Sequence, residues 1–189
     1  MVSLGKQLHA QSNCLRADGA KAISEMLKVN KTLTMVDLSD NEIGAYAKNN
    51  DGRAPWIPSP EGPAALADGL KANSTVQQLH AQNNGLGPEG AKSFGSMLEH
   101  NNTLTLLDVS GNNMGAEGAA SLAEGLKANT GVQQLDASSN SLGPEGAKAL
   151  AASIAENSTI TSVRTLLNSF RIISAHTSSL SLRSLFTPG

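Results

Sequence analysis

The sequence predicts an α/β fold, a right-handed α/β solenoid with a parallel sheet on its concave face and helices on its convex face. Three observations carry this. The 189-residue chain repeats itself with a period of 28, and one asparagine returns at the same place in each repeat. Each repeat also passes from a two-residue to a roughly four-residue hydrophobic period. The segments Leu70-Lys71-Ala72-Asn73, Val76-Gln77-Gln78-Leu79 and Leu86-Gly87-Pro88-Glu89-Gly90-Ala91-Lys92 recur 56 residues later as Leu126-Lys127-Ala128-Asn129, Val132-Gln133-Gln134-Leu135 and Leu142-Gly143-Pro144-Glu145-Gly146-Ala147-Lys148. A related but different unit lies between them, Leu104-Thr105-Leu106-Leu107-Asp108-Val109-Ser110-Gly111-Asn112, so two unit types alternate.

The marker asparagines set the register. They are Asn13, Asn41, Asn84, Asn112, Asn140 and Asn168, at intervals of 28, 43, 28, 28 and 28. The long interval means 15 inserted residues, and removing Ala45 to Ser59 joins Gly44 to Pro60-Glu61-Gly62 and restores the period. With the marker at position 9, apolar residues fall at positions 1, 4 and 6, as in Leu33, Val36, Leu38 and Asn41 or Leu104, Leu107, Val109 and Asn112. Positions 4 and 6 predict a strand with one buried face. The asparagine amide, which both donates and accepts, suits stacking where the strand bends and backbone groups need partners.

A helix follows each strand. Pro60, Pro88 and Pro144, followed by Glu61, Glu89 and Glu145, mark helix starts, where proline is tolerated and an acid meets the positive end of the dipole. The buried stripe then reads, unit by unit, Ile23 and Leu27, Leu66 and Leu70, Phe94 and Leu98, Leu122 and Leu126, Leu150 and Ile154. A small residue precedes each pair by one turn, at Ala20, Pro63, Ala91, Ala119 and Ala147. Asn30, Asn73, Asn101, Asn129 and Asn157 close the helices and are expected to be left-handed caps. The array therefore takes up residues 1–168, five full units and the strand of a sixth. Residues 169–189 drop the repeat and read as a cap, a disordered end or the boundary of a piece of a longer protein, with composition favouring the last two.

Composition narrows the function. A formal net charge of −2 gives no ground for nucleic acid or an anionic membrane as partner. The single cysteine, Cys14, excludes an internal disulfide and a cysteine-based zinc site, and points to a reducing compartment. No stretch resembles a signal peptide or approaches the roughly 20 apolar residues of a membrane helix, so a soluble cytoplasmic protein is expected. Four Asn-X-Thr sequences (at Asn30, Asn73, Asn101 and Asn157) recur with the helix-to-strand turn and are read as turn chemistry, not glycosylation sites.

These motifs resemble the ribonuclease-inhibitor-like subclass of leucine-rich repeats, whose units of this length alternate in two types and share the Leu-Gly-Pro-Glu-Gly-Ala helix start. Similar repeats occur in NOD-like receptors and the Ran GTPase-activating protein. The resemblance covers about residues 1–168 and implies protein binding, usually on the concave sheet and its rim. This array is shorter than those of the family, has no capping segment before its first strand, and ends in the non-repetitive tail.

Two candidate surfaces follow. Position 5, next to the buried strand positions, faces the concave side and reads His9, Asp37, His80, Asp108, Asp136 and Arg164, with a mildly acidic patch at Asp108 and Asp136. From His9 to Asp136 this strip spans roughly 19 Å. The insertion carries the only Trp and only Tyr of the chain, Trp56 and Tyr46, together with Arg53. These are anchor-type residues on a rim loop stiffened by Pro55 and Pro58. The alternatives are a solvated strip and an insertion whose Trp56 folds over the layer edge. His9 and His80 stand about 10 Å apart at the backbone, against the ~2.1 Å a zinc ligand needs, so no metal is expected. No nucleophile, base and acid share the register, and neither a cofactor nor a small-molecule substrate is expected. The reading is a non-catalytic module that binds an as yet unknown protein. The alternative is a GTPase activator of the Ran-directed type using Arg16 or Arg53.

Overall fold

The computed structural model describes residues 6–47, 56–165 and 172–173. In chain order the elements are β1 (Lys6–His9), α1 (Arg16–Val29), β2 (Leu33–Asp37), β3 (Ala45–Ala47), β4 (Trp56–Pro58), α2 (Glu61–Ala72), β5 (Gln78–His80), α3 (Gly87–Leu98), β6 (Leu106–Asp108), α4 (Gly115–Ala128), β7 (Gln134–Asp136), α5 (Gly143–Glu156), β8 (Ser162–Arg164) and β9 (Ile172–Ile173). The main sheet runs β1-β2-β5-β6-β7-β8-β9 and is parallel except for β9, which lies antiparallel on β8. Strand and helix alternate along the chain, and neighbouring helices pack side by side, which is the layered α/β solenoid that the periodicity predicts.

Register is kept from layer to layer. Val36, Leu79, Leu107, Leu135 and Val163 pair in one file and are buried, as are Leu38, Ala81, Val109 and Ala137 two residues on. The helix stripes Leu27, Leu66, Leu70, Phe94, Leu98, Leu122, Leu126 and Leu150 close the same core from the other side. Helices approach closely where glycine permits it: a Cβ on Gly125 would sit 2.1 Å from the Gly95 carbonyl oxygen, and one on Gly69 would sit 2.7 Å from Ser24 Cα. Ile23 and Ile154, in the first and last helices, are only partly buried.

One expectation is corrected. The residues closing the helices are not left-handed: Asn30, Asn73, Asn129 and Asn157 have φ between −74° and −93° and extended ψ. Left-handed backbone occurs instead in the strand-to-helix turns, at Ser12, Cys14 and Arg16, at Asp40 and Glu42, and at Asn83, Gly85 and Gly87 and their counterparts in later layers. Those turns point successive N–H groups at the next layer, as in Asn83 to the Ser110 carbonyl (3.0 Å) and Gly87 to the Asn112 carbonyl (3.0 Å). Interlayer hydrogen bonding thus continues beyond the strand, which is why the unusual φ values are retained.

The two described ends of the insertion pair with each other. β3 and β4 form an antiparallel hairpin, with Ala45 opposite Pro58 and Tyr46 opposite Ile57. Its base is closed by Ser59 N–H donating to the Gly44 carbonyl at 2.7 Å.

Candidate functional site

The position-5 residues form one continuous file on the sheet face opposite the helices. His9 pairs with Asp37, Asp37 with His80, His80 with Asp108, Asp108 with Asp136 and Asp136 with Arg164. The four central residues are half-buried, and His9 and Arg164 at the two ends are exposed. Each aspartate spends one oxygen on its own turn: Asp108 Oδ1 accepts from Ser110 N–H (3.0 Å) and hydroxyl (2.7 Å), and Asp136 Oδ1 accepts from Ser138 N–H (3.0 Å) and hydroxyl (2.6 Å). Asp37 is held in the same way by Ser39.

The electrostatics of the strip differ from the sequence expectation at one point. Arg164 reaches across one strand and donates to Asp136 Oδ2 at 3.1 Å, so the acidic patch is partly neutralised there. Among the described residues, the negative charge left without an ion pair on this face lies at Asp37 and Asp108. A shallow groove of about 200 Å³ crosses β5 to β8, lined by His80, Leu106, Asp108, Gln134, Asp136 and Arg164.

The marker asparagines lie behind the file. Asn112 Nδ2 donates to the carbonyls of Ala81 (2.9 Å) and Val109 (2.9 Å), and its Oδ1 accepts from Asn84 N–H (2.9 Å). Asn41, Asn84 and Asn140 make the equivalent bonds, whereas Asn13, in the first layer, is exposed and bonds to Ala10 and Gln11 of its own turn. Asn168 lies outside the described residues.

A second asparagine ladder, not anticipated from the sequence, runs where the helices end. Asn101 Nδ2 donates to the Leu70 carbonyl at 2.7 Å, Asn129 to Leu98 at 2.8 Å and Asn157 to Leu126 at 2.7 Å. Each Oδ1 caps its own following turn, as with Val76 N–H on Asn73 at 2.8 Å. The signal was present as a spacing of 28 from Asn73 to Asn157, but the partners are carbonyls of the preceding layer. Burial of Asn73 and Asn101 also closes their amides to glycosylation.

On the rim, Trp56 is 60% exposed, so it does not fold away over the layer edge. Tyr46 is placed by backbone pairing in β3, and Arg53 lies outside the described residues. Between the hairpin and the next two strand-to-helix turns is a cavity of about 520 Å³, with Trp56, Pro58, Leu86 and Pro88 among its walls. Sequence spacing did not reveal it, because its two sides come from different layers, with Trp56 on one and Leu86 on the next. Arg16, on the same rim, is ion-paired with Glu42 at 3.0 Å. Among the described residues no helix is long and apolar enough to cross a membrane.

A family model for leucine-rich repeats matches residues 29–45, 72–95, 100–123 and 128–151. Among solved structures, the chain is similar to the actin-binding site 2 of leiomodin-1 (TM-score 0.60, 21% identity, covering 79% of this chain and 81% of that one). It is also similar to the tropomodulin C-terminal domain of Caenorhabditis elegans (TM-score 0.59, 17% identity, covering 79% and 84%). No curated protein sequence matches it. Together with the layered fold, these matches identify the chain as a leucine-rich-repeat protein.

Proposed function

We propose that this chain is a non-catalytic, cytoplasmic protein-binding module of the ribonuclease-inhibitor-like subclass. Its array takes up residues 1–168, with the insertion at 45–59 and residues 169–189 outside it. The partner is held by the position-5 file (His9, Asp37, His80, Asp108, Asp136, Arg164) and by the rim hairpin with Tyr46, Arg53 and Trp56. The observation that carries this reading is the pairing of a rigid, continuous polar strip with an exposed tryptophan on the adjoining rim. A solitary exposed indole on a stiff scaffold is the type of group that anchors interfaces.

The leiomodin-1 domain is described as an actin-binding site, so actin is the first partner to test. Purified chain would be sedimented with filamentous actin and run with monomeric actin on a sizing column. In parallel, partners would be cross-linked in extract and each hit remade with purified protein. Asp37→Lys with Asp108→Lys is expected to weaken the reconstituted complex at least about tenfold, since reversed charges stand at the centre of the strip. Partners bound equally well by this variant and by Trp56→Ala would remove the reading. Of the two arginines that the GTPase-activator alternative would use, Arg16 is ion-paired with Glu42 and Arg53 lies outside the described residues.

A further inference from the structure

We propose that the rim cavity beside the hairpin receives a lysine or arginine side chain presented by an extended segment of a partner protein. This rests on the binding-module reading above and names the chemistry of one of its surfaces. Three features of the lining point to that occupant.

First, the wall carries an aromatic face and one charge, and that charge is negative. Trp56 is 60% exposed, and among the described residues Glu89 is the only charged one lining the cavity. Glu89 makes no ion pair among the described residues, and Lys92, one turn further along α3, does not line the cavity. An indole and an unpaired carboxylate facing one space attract a cation: the ring through its quadrupole, the acid through a charge-assisted hydrogen bond. An acidic or purely apolar side chain would meet repulsion or leave Glu89 desolvated.

Second, the floor is main chain. Gly85 and Gly87 are left-handed, and a Cβ added at Gly87 would meet nothing within 4 Å, so the space above it is open. Bare backbone allows another backbone to approach closely.

Third, Asn83 and Asn113 stand on the same lining, both exposed and both left-handed. Each amide offers a donor and an acceptor, the pair of functions an extended peptide displays. The stem of a basic side chain would lie against Pro58 and Leu86 while its head reaches Glu89.

Trp56 is the only tryptophan in the chain, so its fluorescence reports this site alone. The probe is a blocked Ala-Pro-Arg-Pro-Ala peptide, compared with versions carrying citrulline or glutamate in place of the arginine. The arginine peptide should produce a saturable change with a dissociation constant of about 1 mM or tighter. Citrulline, which keeps the shape without the charge, should bind at least about tenfold more weakly, and glutamate more weakly still. Glu89→Gln should reduce the arginine peptide to the citrulline level. Glu117→Gln, at the equivalent place one layer on, should leave it unchanged. Trp56→Ala, followed by calorimetry with circular dichroism as the folding control, should abolish binding. No saturable change, equal binding of arginine and citrulline, or indifference to Glu89→Gln each overturns the inference. If the peptide series fails while a protein partner still depends on Asp37 and Asp108, only this inference falls.

Discussion

The amide of Asn112 sits within hydrogen-bond distance of five backbone groups drawn from two layers: the carbonyls of Ala81, Val109 and Ser110, and the N–H groups of Asn84 and Leu86. Asn112 is fully buried and four of these bonds are buried with it, so Asn112→Ala strands main-chain donors and acceptors away from water. We expect a loss of about 3–5 kcal/mol, read as a lower urea midpoint. Asn13→Ala, at the exposed end of the same ladder, should cost about 1 kcal/mol or less. If the two variants lost equal stability, the interlayer account of the ladder would be wrong. The glycines of the turns allow a similar contrast. A Cβ on Gly111 would fall 2.1 Å from Asn83 Oδ1, whereas one on Gly87 meets nothing within 4 Å, although both residues are left-handed. Gly87→Ala should therefore cost only the ~1–2 kcal/mol of left-handed strain, and Gly111→Ala should cost that and a displaced side chain.

The hairpin behaves as an appendage of the second unit. Its two ends meet through Ala45 opposite Pro58 and Ser59 N–H on Gly44, and Gly87 runs directly into Pro88 in the next unit. Deleting residues 45–59 and joining Gly44 to Pro60 should leave circular dichroism unchanged and move stability by no more than about 1 kcal/mol. A chain that failed to fold after this deletion would show the hairpin to be part of the core. The joint between hairpin and α2 carries its own pH signature. Hydrogen bonds from its own backbone N–H and from the Ser59 hydroxyl (2.8 Å) hold the Glu61 carboxyl below its ordinary 4.5, with a smaller contribution from Lys21, against burial and Asp18. Because the folded value is depressed, the stabilisation is complete above the ordinary value and is lost as pH falls through the folded one. Glu61→Gln should flatten that acid limb in thermal melts by lowering stability at neutral pH, and leave stability in acid nearly unchanged.

Across the whole molecule, stability is a sum over layers and the contacts between them. The middle layers are covered on both sides: Leu79, Ala81, Leu107 and Val109 are fully buried. Among the described residues the first layer has a neighbouring layer on one side, and its Leu8, Ala10 and Ile23 are only partly buried. Native-state hydrogen exchange should therefore grade along the array, with amides of β5 and β6 the slowest and those of β1 among the fastest. Uniform protection from β1 to β6 would mean that the array unfolds as a single unit rather than from its ends.

The periodicity was sufficient to assign the layers, the file of position-5 residues and the site of the insertion, because in a solenoid each layer's best partner is another copy of itself. A pattern repeated along the chain is then already a pattern of contacts. Leu107 is buried against Leu79 and Leu135 for the same reason that all three occupy position 4. Other features depended on atoms that only the neighbouring layer brings near. The asparagines at the helix ends look like caps when each helix is considered alone, yet their amides bond carbonyls some 31 residues away, as Asn101 does with Leu70. Arg164 and Asp136 meet, and Trp56 and Glu89 line one cavity, only because stacking aligns separate turns. The sequence by itself determined the repeat and its buried face. Tertiary stacking decided the second ladder, the left-handed turns, the ion pair on the open face and the rim cavity, because each joins groups from layers that nothing in the local pattern connects.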